Sequence, residues 1–83
     1  MPFSMYVHCG VEAAQIDGRW WEVIEPLYRD DQPGLGPPPG WSDPEQDGVL
    51  TRLGPELAEF RAPHGAVVQL RPRNVDAPPR ICR

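Results

Sequence analysis

Proline and glycine interrupt this chain throughout, and they constrain its fold more than any other feature. Twelve prolines and eight glycines occur among 83 residues, close to a quarter of the chain. Proline removes a helical hydrogen bond and glycine costs backbone entropy, so a helical bundle is excluded. A hydrophobic content of 40 %, with three tryptophans, is too high for a disordered tail. The composition therefore predicts one compact, turn-rich β domain spanning residues 1–83.

Alternating apolar residues predict strands on both sides of a proline-rich segment. In the first half, 3–25, the alternation of Phe3-Ser4-Met5-Tyr6-Val7-His8-Cys9 indicates a strand. Asp17-Gly18 is the strongest hairpin signal, because extended residues flank it on both sides. The second half, 48–71, shows three further strand patterns separated by Gly54-Pro55 and by a turn at 62–65. We expect an all-β fold, a small antiparallel sheet or open barrel of five to six strands.

The segment between the halves, 26–48, contains six prolines and four glycines. Pro26 is expected to end the preceding strand, because it lacks the N–H that a ladder requires. No strand or helix of useful length is expected within the segment, apart from one short turn at 43–47. The sequence therefore predicts a long Pro/Gly-rich loop here and an Arg/Pro tail over 72–83.

The core is predicted from the face that the larger apolar residues share. Packing the two halves against each other should bury one such face of each strand. The predicted core consists of Met5, Val7, Val11, Trp21, Val23, Val49, Leu53, Leu57, Phe60, Val68 and Leu70.

Charge and targeting signals limit the classes of partner. The formal net charge is −4, which argues against a duplex nucleic acid, since that partner requires a dense basic surface. No apolar stretch is long enough to span a membrane and no signal peptide is visible, so a cytoplasmic location is expected unless an upstream segment has been removed. Cys9 and Cys82 would be reduced there, although a disulfide between them remains an alternative.

Residues suited to metal binding or catalysis are present in the wrong arrangement. His8, Cys9, His64 and Cys82 are types that bind zinc, but their spacing fits no zinc motif. His8 and Cys9 are neighbours in a predicted strand and would point to opposite faces. A Cys9–His64 nucleophile pair lacks a local signature that would activate the thiol. We therefore expect no metal, cofactor or catalytic residue, and a non-enzymatic protein.

The candidate binding residues are Trp20, Pro37, Pro38, Pro39 and Trp41. Three consecutive prolines favour a short polyproline II segment, which can dock onto aromatic surfaces. Two interpretations remain open: the loop contacts a partner, or it folds back as a lid over the apolar surface near Trp20 or Tyr28. Whichever tryptophan stays exposed is the better contact residue, since tryptophan dominates many interfaces.

Three runs carry a resemblance: His8-Cys9-Gly10, Asp17-Gly18-Arg19-Trp20-Trp21, and the run from Pro37 to Pro44. Together they resemble short uncharacterised proteins of high-GC actinobacteria, over most of residues 6–71. The resemblance implies no catalytic residue, and some members of that group are exported or lipid-anchored.

The leading functional hypothesis is a protein-interaction or regulatory module that binds another protein through the Pro/Trp loop. A small-ligand or carbohydrate binder using Trp20 and Trp41 is the alternative, since tryptophan stacks on sugars. A thiol- or metal-dependent enzyme is a third hypothesis.

Overall fold

The computed structural model describes residues 1–75 and 77, and it confirms the all-β fold. Six antiparallel strands form a nearly closed barrel-like sheet with one unsealed seam. The strands are β1 (Pro2–Tyr6), β2 (Val11–Ile16), β3 (Arg19–Leu27), β4 (Glu45–Gly54), β5 (Leu57–Arg61) and β6 (Val67–Pro72). Their order in the sheet is β1-β4-β5-β6-β3-β2, so the seam lies between β1 and β2.

Antiparallel pairing sorts the connections onto two ends of the barrel. We call one the loop end: it carries residues 7–10, the long connection 28–44 and the turn 62–66. The other, the hairpin end, carries the turns at 17–18 and 55–56. Asp17 and Gly18 both have positive φ, 53° and 77°, as a type I′ hairpin requires. The predicted Asp17-Gly18 hairpin is therefore confirmed.

The long connection is shorter at both margins than the sequence predicts. β3 continues through Pro26 to Leu27, and β4 begins at Glu45 where a short turn was expected. Pro26 is tolerated because the β2–β3 register shifts between Val11, which faces Leu27, and Ala13, which faces Glu22. Proline is accepted at such irregularities because no ladder bond is lost. The loop therefore covers 28–44, and it includes a single 3-10 turn at Arg29–Asp31.

The core lies inside the barrel, and the prediction of its members is partly wrong. Val49 and Leu53 are half exposed and Leu57 is only partly buried, so these three are corrections. Leu50 is buried instead, because it lies opposite the inward-facing Phe60 of β5. The other predicted core residues are buried, and the sequence missed Ala14, Ile16, Ala58 and Ala62.

Arg71 and Arg73 belong to a charged cluster on the outer face of β3 and β6. Glu22 accepts hydrogen bonds from Arg71 Nε at 2.7 Å and from Arg73 Nη1 at 3.2 Å. Arg80 and Arg83 of the predicted tail lie outside the described residues. Within the described ranges, no helix is both long and apolar enough to cross a membrane.

Candidate binding surface at the loop end of the barrel

Main-chain hydrogen bonds hold the 28–44 loop against the loop end. The Val7 N–H donates to Pro44 O at 2.8 Å, and the Gly34 N–H donates to Cys9 O at 3.4 Å. Within the loop, the Arg29 N–H donates to Gly36 O at 2.9 Å, which brings its first half into a closed turn. Val7 and Cys9 belong to the connection between β1 and β2, so these bonds fix the loop to the barrel at Gly34 and at Pro44.

Two side-chain contacts fix the C-terminal part of the loop. Gln46, only 6 % exposed, accepts the Ser42 N–H on Oε1 at 2.8 Å and donates from Nε2 to Asp47 O at 2.8 Å. At the surface, His8 Nδ1 lies 2.8 Å from Asp43 Oδ1. The sequence did not indicate Gln46, although an uncharged polar residue between two acids at a strand start was an available signal. Buried polar groups are costly unless paired, so Gln46 holds the loop in one geometry.

The proline run and its tryptophan belong largely to the fold. Pro37 is fully buried, Pro38 is partly buried and Pro39 is exposed. Trp41 packs on the core, with its ring centroid 6.2 Å from that of Phe60 and the two rings inclined by 25°. The His64 ring lies 5.0 Å from it, in an edge-on arrangement. The loop therefore covers the interior of the barrel at this end.

Exposed apolar side chains remain on the outer side of the same loop. Leu35 is 52 % exposed although its neighbours Gly34 and Gly36 take part in the anchoring hydrogen bonds. Pro39 is exposed on the same loop. The sequence analysis missed Leu35; a lone leucine between two glycines in a proline-rich loop was the signal that could have indicated it.

Trp20 is distant from the loop. It is the second residue of β3, it faces Gln15 across the hairpin, and its carbonyl accepts the Arg73 N–H at 3.0 Å. Leu27, where the loop begins, is seven positions further along β3, roughly 23 Å at the usual rise. The structure does not bring Trp20 and Trp41 together, so a joint stacking site for one sugar has no geometric support.

The two histidines considered for metal or thiol chemistry make different local contacts. His8 pairs with Asp43, whereas His64 contacts Trp41. In residues 1–75 and 77 no group of three histidine, cysteine or acidic side chains is arranged to hold a metal ion. Neither does that part of the chain contain a free cysteine. Cys82 lies outside the described residues, so its pairing with Cys9 stays a prediction.

Comparison of the chain with protein-family models, with curated proteins and with solved structures found no match. The geometry of this chain therefore carries the functional argument, and the actinobacterial resemblance stays a prediction.

Proposed function

We propose that this protein is a non-enzymatic interaction module that binds another protein through the outer side of its 28–44 loop. The observation that carries the proposal is Leu35, which is 52 % exposed at the surface of a loop anchored on both sides. A preorganised loop loses little conformational entropy on binding, so an exposed apolar side chain on it contributes more of its burial energy to affinity.

The proposed surface differs from the residues expected from the sequence. Pro39 and Leu35 form its exposed part, and the accessible edges of Pro38 and Trp41 complete it. Pro37 is omitted because a fully buried ring cannot touch a partner. Trp20 is omitted because it lies near the hairpin end. Interfaces typically combine such an apolar centre with a polar rim, which Asp43 and His8 supply here.

The test compares two leucines of matching exposure at opposite ends of the barrel. Leu35 in the loop is 52 % exposed, and Leu53, near the end of β4, is 50 % exposed. A photo-crosslinking amino acid at position 35 or 53 is introduced, and crosslinked proteins in a lysate of the source cells are identified by mass spectrometry. We expect a partner captured reproducibly from position 35 and not from position 53.

Affinity for the captured protein is then measured by calorimetry with purified components. Leu35→Ser should weaken binding about fivefold to tenfold, the size expected when a half-exposed leucine is buried. Leu53→Ser should leave the affinity unchanged. Equal effects of the two substitutions, or capture only from position 53, would overturn the proposal.

A further inference from the structure

A polar groove of about 470 Å³ opens at the hairpin end of the barrel. It lies at the end of β6, the strand that runs between β5 and β3 in the sheet. The volume is within the range of small-ligand sites, ~300–1,000 Å³. Four of the six residues that line the groove are charged, so its occupant is a charged molecule. The lining consists of Arg19, Glu22, Glu56, Arg71, Pro72 and Asn74.

The charges along this groove are only partly paired with each other. Glu22 accepts hydrogen bonds from Arg71 Nε at 2.7 Å and from Arg73 Nη1 at 3.2 Å, so both of its carboxylate oxygens are engaged. Because two guanidinium groups share this one carboxylate, a surplus of positive charge remains. Arg71 uses only its Nε, and in the described part of the chain its two terminal nitrogen atoms have no protein partner.

Two further charges, of opposite sign, line the same groove without an ion pair. In residues 1–75 and 77, neither Arg19 nor Glu56 belongs to a salt bridge. Arg19 makes one long contact, from Nη2 to Arg73 O at 3.5 Å. The two side chains start on opposite sides of β6, since Glu56 precedes β5 and Arg19 begins β3. Strands two places apart in a sheet are separated by roughly 10 Å, so a ligand can lie between these two charges.

The arrangement of these charges determines which ligand fits. A simple anion would meet the arginines but also the unpaired carboxylate of Glu56. A simple cation would meet Glu56 but also the surplus of guanidinium groups. A molecule that carries both charges complements both walls of the groove.

We propose that this groove binds a small zwitterion with a carboxylate and an ammonium group at the two ends of a short aliphatic chain. Arg19 and the terminal nitrogen atoms of Arg71 bind the carboxylate, because a guanidinium group presents paired donors in the plane that a carboxylate requires. Glu56 binds the ammonium group, and Pro72 contacts the methylene groups between the two ends. This goes beyond the proposed function, because the groove lies at the opposite end of the barrel from the 28–44 loop.

The test titrates the full ¹⁵N-labelled chain, at low salt, with ω-amino acids from glycine to ε-aminocaproate and follows its resonances by NMR. We expect saturable shifts centred on 19–22, Glu56 and 71–74, with a Kd of about 1–10 mM for the best ligand, appropriate to a few exposed ion pairs. Affinity should pass through a maximum as the chain lengthens, because the two walls are a fixed distance apart. No saturable shift up to about 50 mM, or shifts centred elsewhere, would overturn the proposal.

Ligands with a single charge test whether both ends of the zwitterion are recognised. At matched ionic strength, butyrate and butylamine should each bind at least about threefold more weakly than γ-aminobutyrate, because each loses one ion pair. If either of them binds as tightly as γ-aminobutyrate, the groove is a site for a simple ion and the proposal is wrong.

Matched variants locate the two ends, and they leave the core intact because Arg19 and Glu56 are exposed. Arg19→Gln and Glu56→Gln should each weaken binding of γ-aminobutyrate about threefold to fivefold. Arg29→Gln and Glu45→Gln, at exposed positions of the loop end, should leave the affinity unchanged. Equal effects of the groove variants and these controls would contradict the assignment. Leu35→Ser should not change ligand binding either, so failure here is separable from failure of the loop proposal.

Discussion

Substitution of Gly48 by alanine tests how the aromatic core is packed. Gly48 lies on β4 opposite Phe3, on the inward-facing side. A Cβ atom there would lie 2.5 Å from Arg61 O and 2.6 Å from Phe60 Cζ. Carbon contacts are favourable near 3.5–4.0 Å, so the strand or the ring would have to move by about 1 Å.

Neither neighbour of that Cβ can move at low cost. Arg61 belongs to the β4–β5 ladder, where it faces Val49. Phe60 is fully buried, and its ring packs edge-on against Phe3 and stacks on the Trp41 ring. Overpacking of a well-packed core costs about 1–3 kcal/mol. We expect Gly48→Ala to lower the free energy of unfolding by an amount at the upper end of this range, about 2–3 kcal/mol. The total free energy of unfolding of a domain of this length is roughly 4–12 kcal/mol.

The matched control is Gly54→Ala, at the end of the same strand. A Cβ at Gly54 would meet no heavy atom within 4 Å, so its free energy of unfolding should stay equal or rise by about 0.4–1 kcal/mol. Urea unfolding followed by tryptophan fluorescence measures both variants. Gly48→Ala should lower the midpoint by about 2 M if m is near 1 kcal/mol/M. Indistinguishable midpoints for the two variants would refute the packing argument.

Two further predictions concern polar contacts. Gln46→Leu removes the acceptor of the Ser42 N–H, so the free energy of unfolding in urea should fall by about 1–2 kcal/mol. Hydrogen exchange of the Ser42 amide should become faster, and unchanged exchange would contradict the anchoring role of Gln46. Glu22→Gln weakens the hydrogen bonds from Arg71 and Arg73 and should cost about 1 kcal/mol at low salt. That loss should shrink in about 1 M NaCl, and a loss independent of salt would show that charge pairing is not its cause.

The sequence predicted the strands better than their buried faces. Alternation located most strands, and Asp17-Gly18 located the hairpin because its turn type depends only on local backbone geometry. Alternation alone offers two choices of buried face for each strand. On β4, Val49 and Leu53 share one face and Leu50 lies on the other. The neighbouring strand decides between these faces, because Leu50 lies opposite Phe60 inside the barrel.

The candidate surfaces were predicted only in part, for the same reason. The loop was identified from its prolines, and one of the two open interpretations placed it over the protein's own apolar surface. Its composition could not show that Pro37 is buried while Leu35 is exposed, since both facts depend on where the loop meets the barrel. The continuation of β3 to Leu27 was not predicted either, because Pro26 was interpreted as a strand end.

The sequence by itself determined the β class, the approximate positions of the turns between strands and the position of the long loop. These depend on local properties: the missing N–H of proline, the backbone freedom of glycine and the two-residue period of a strand. Tertiary structure alone decided which faces are buried, that the loop closes one end of the barrel, and that the pairing of β3 with β6 is limited to three residues of each strand. Those outcomes depend on the register between distant strands, which no local pattern encodes.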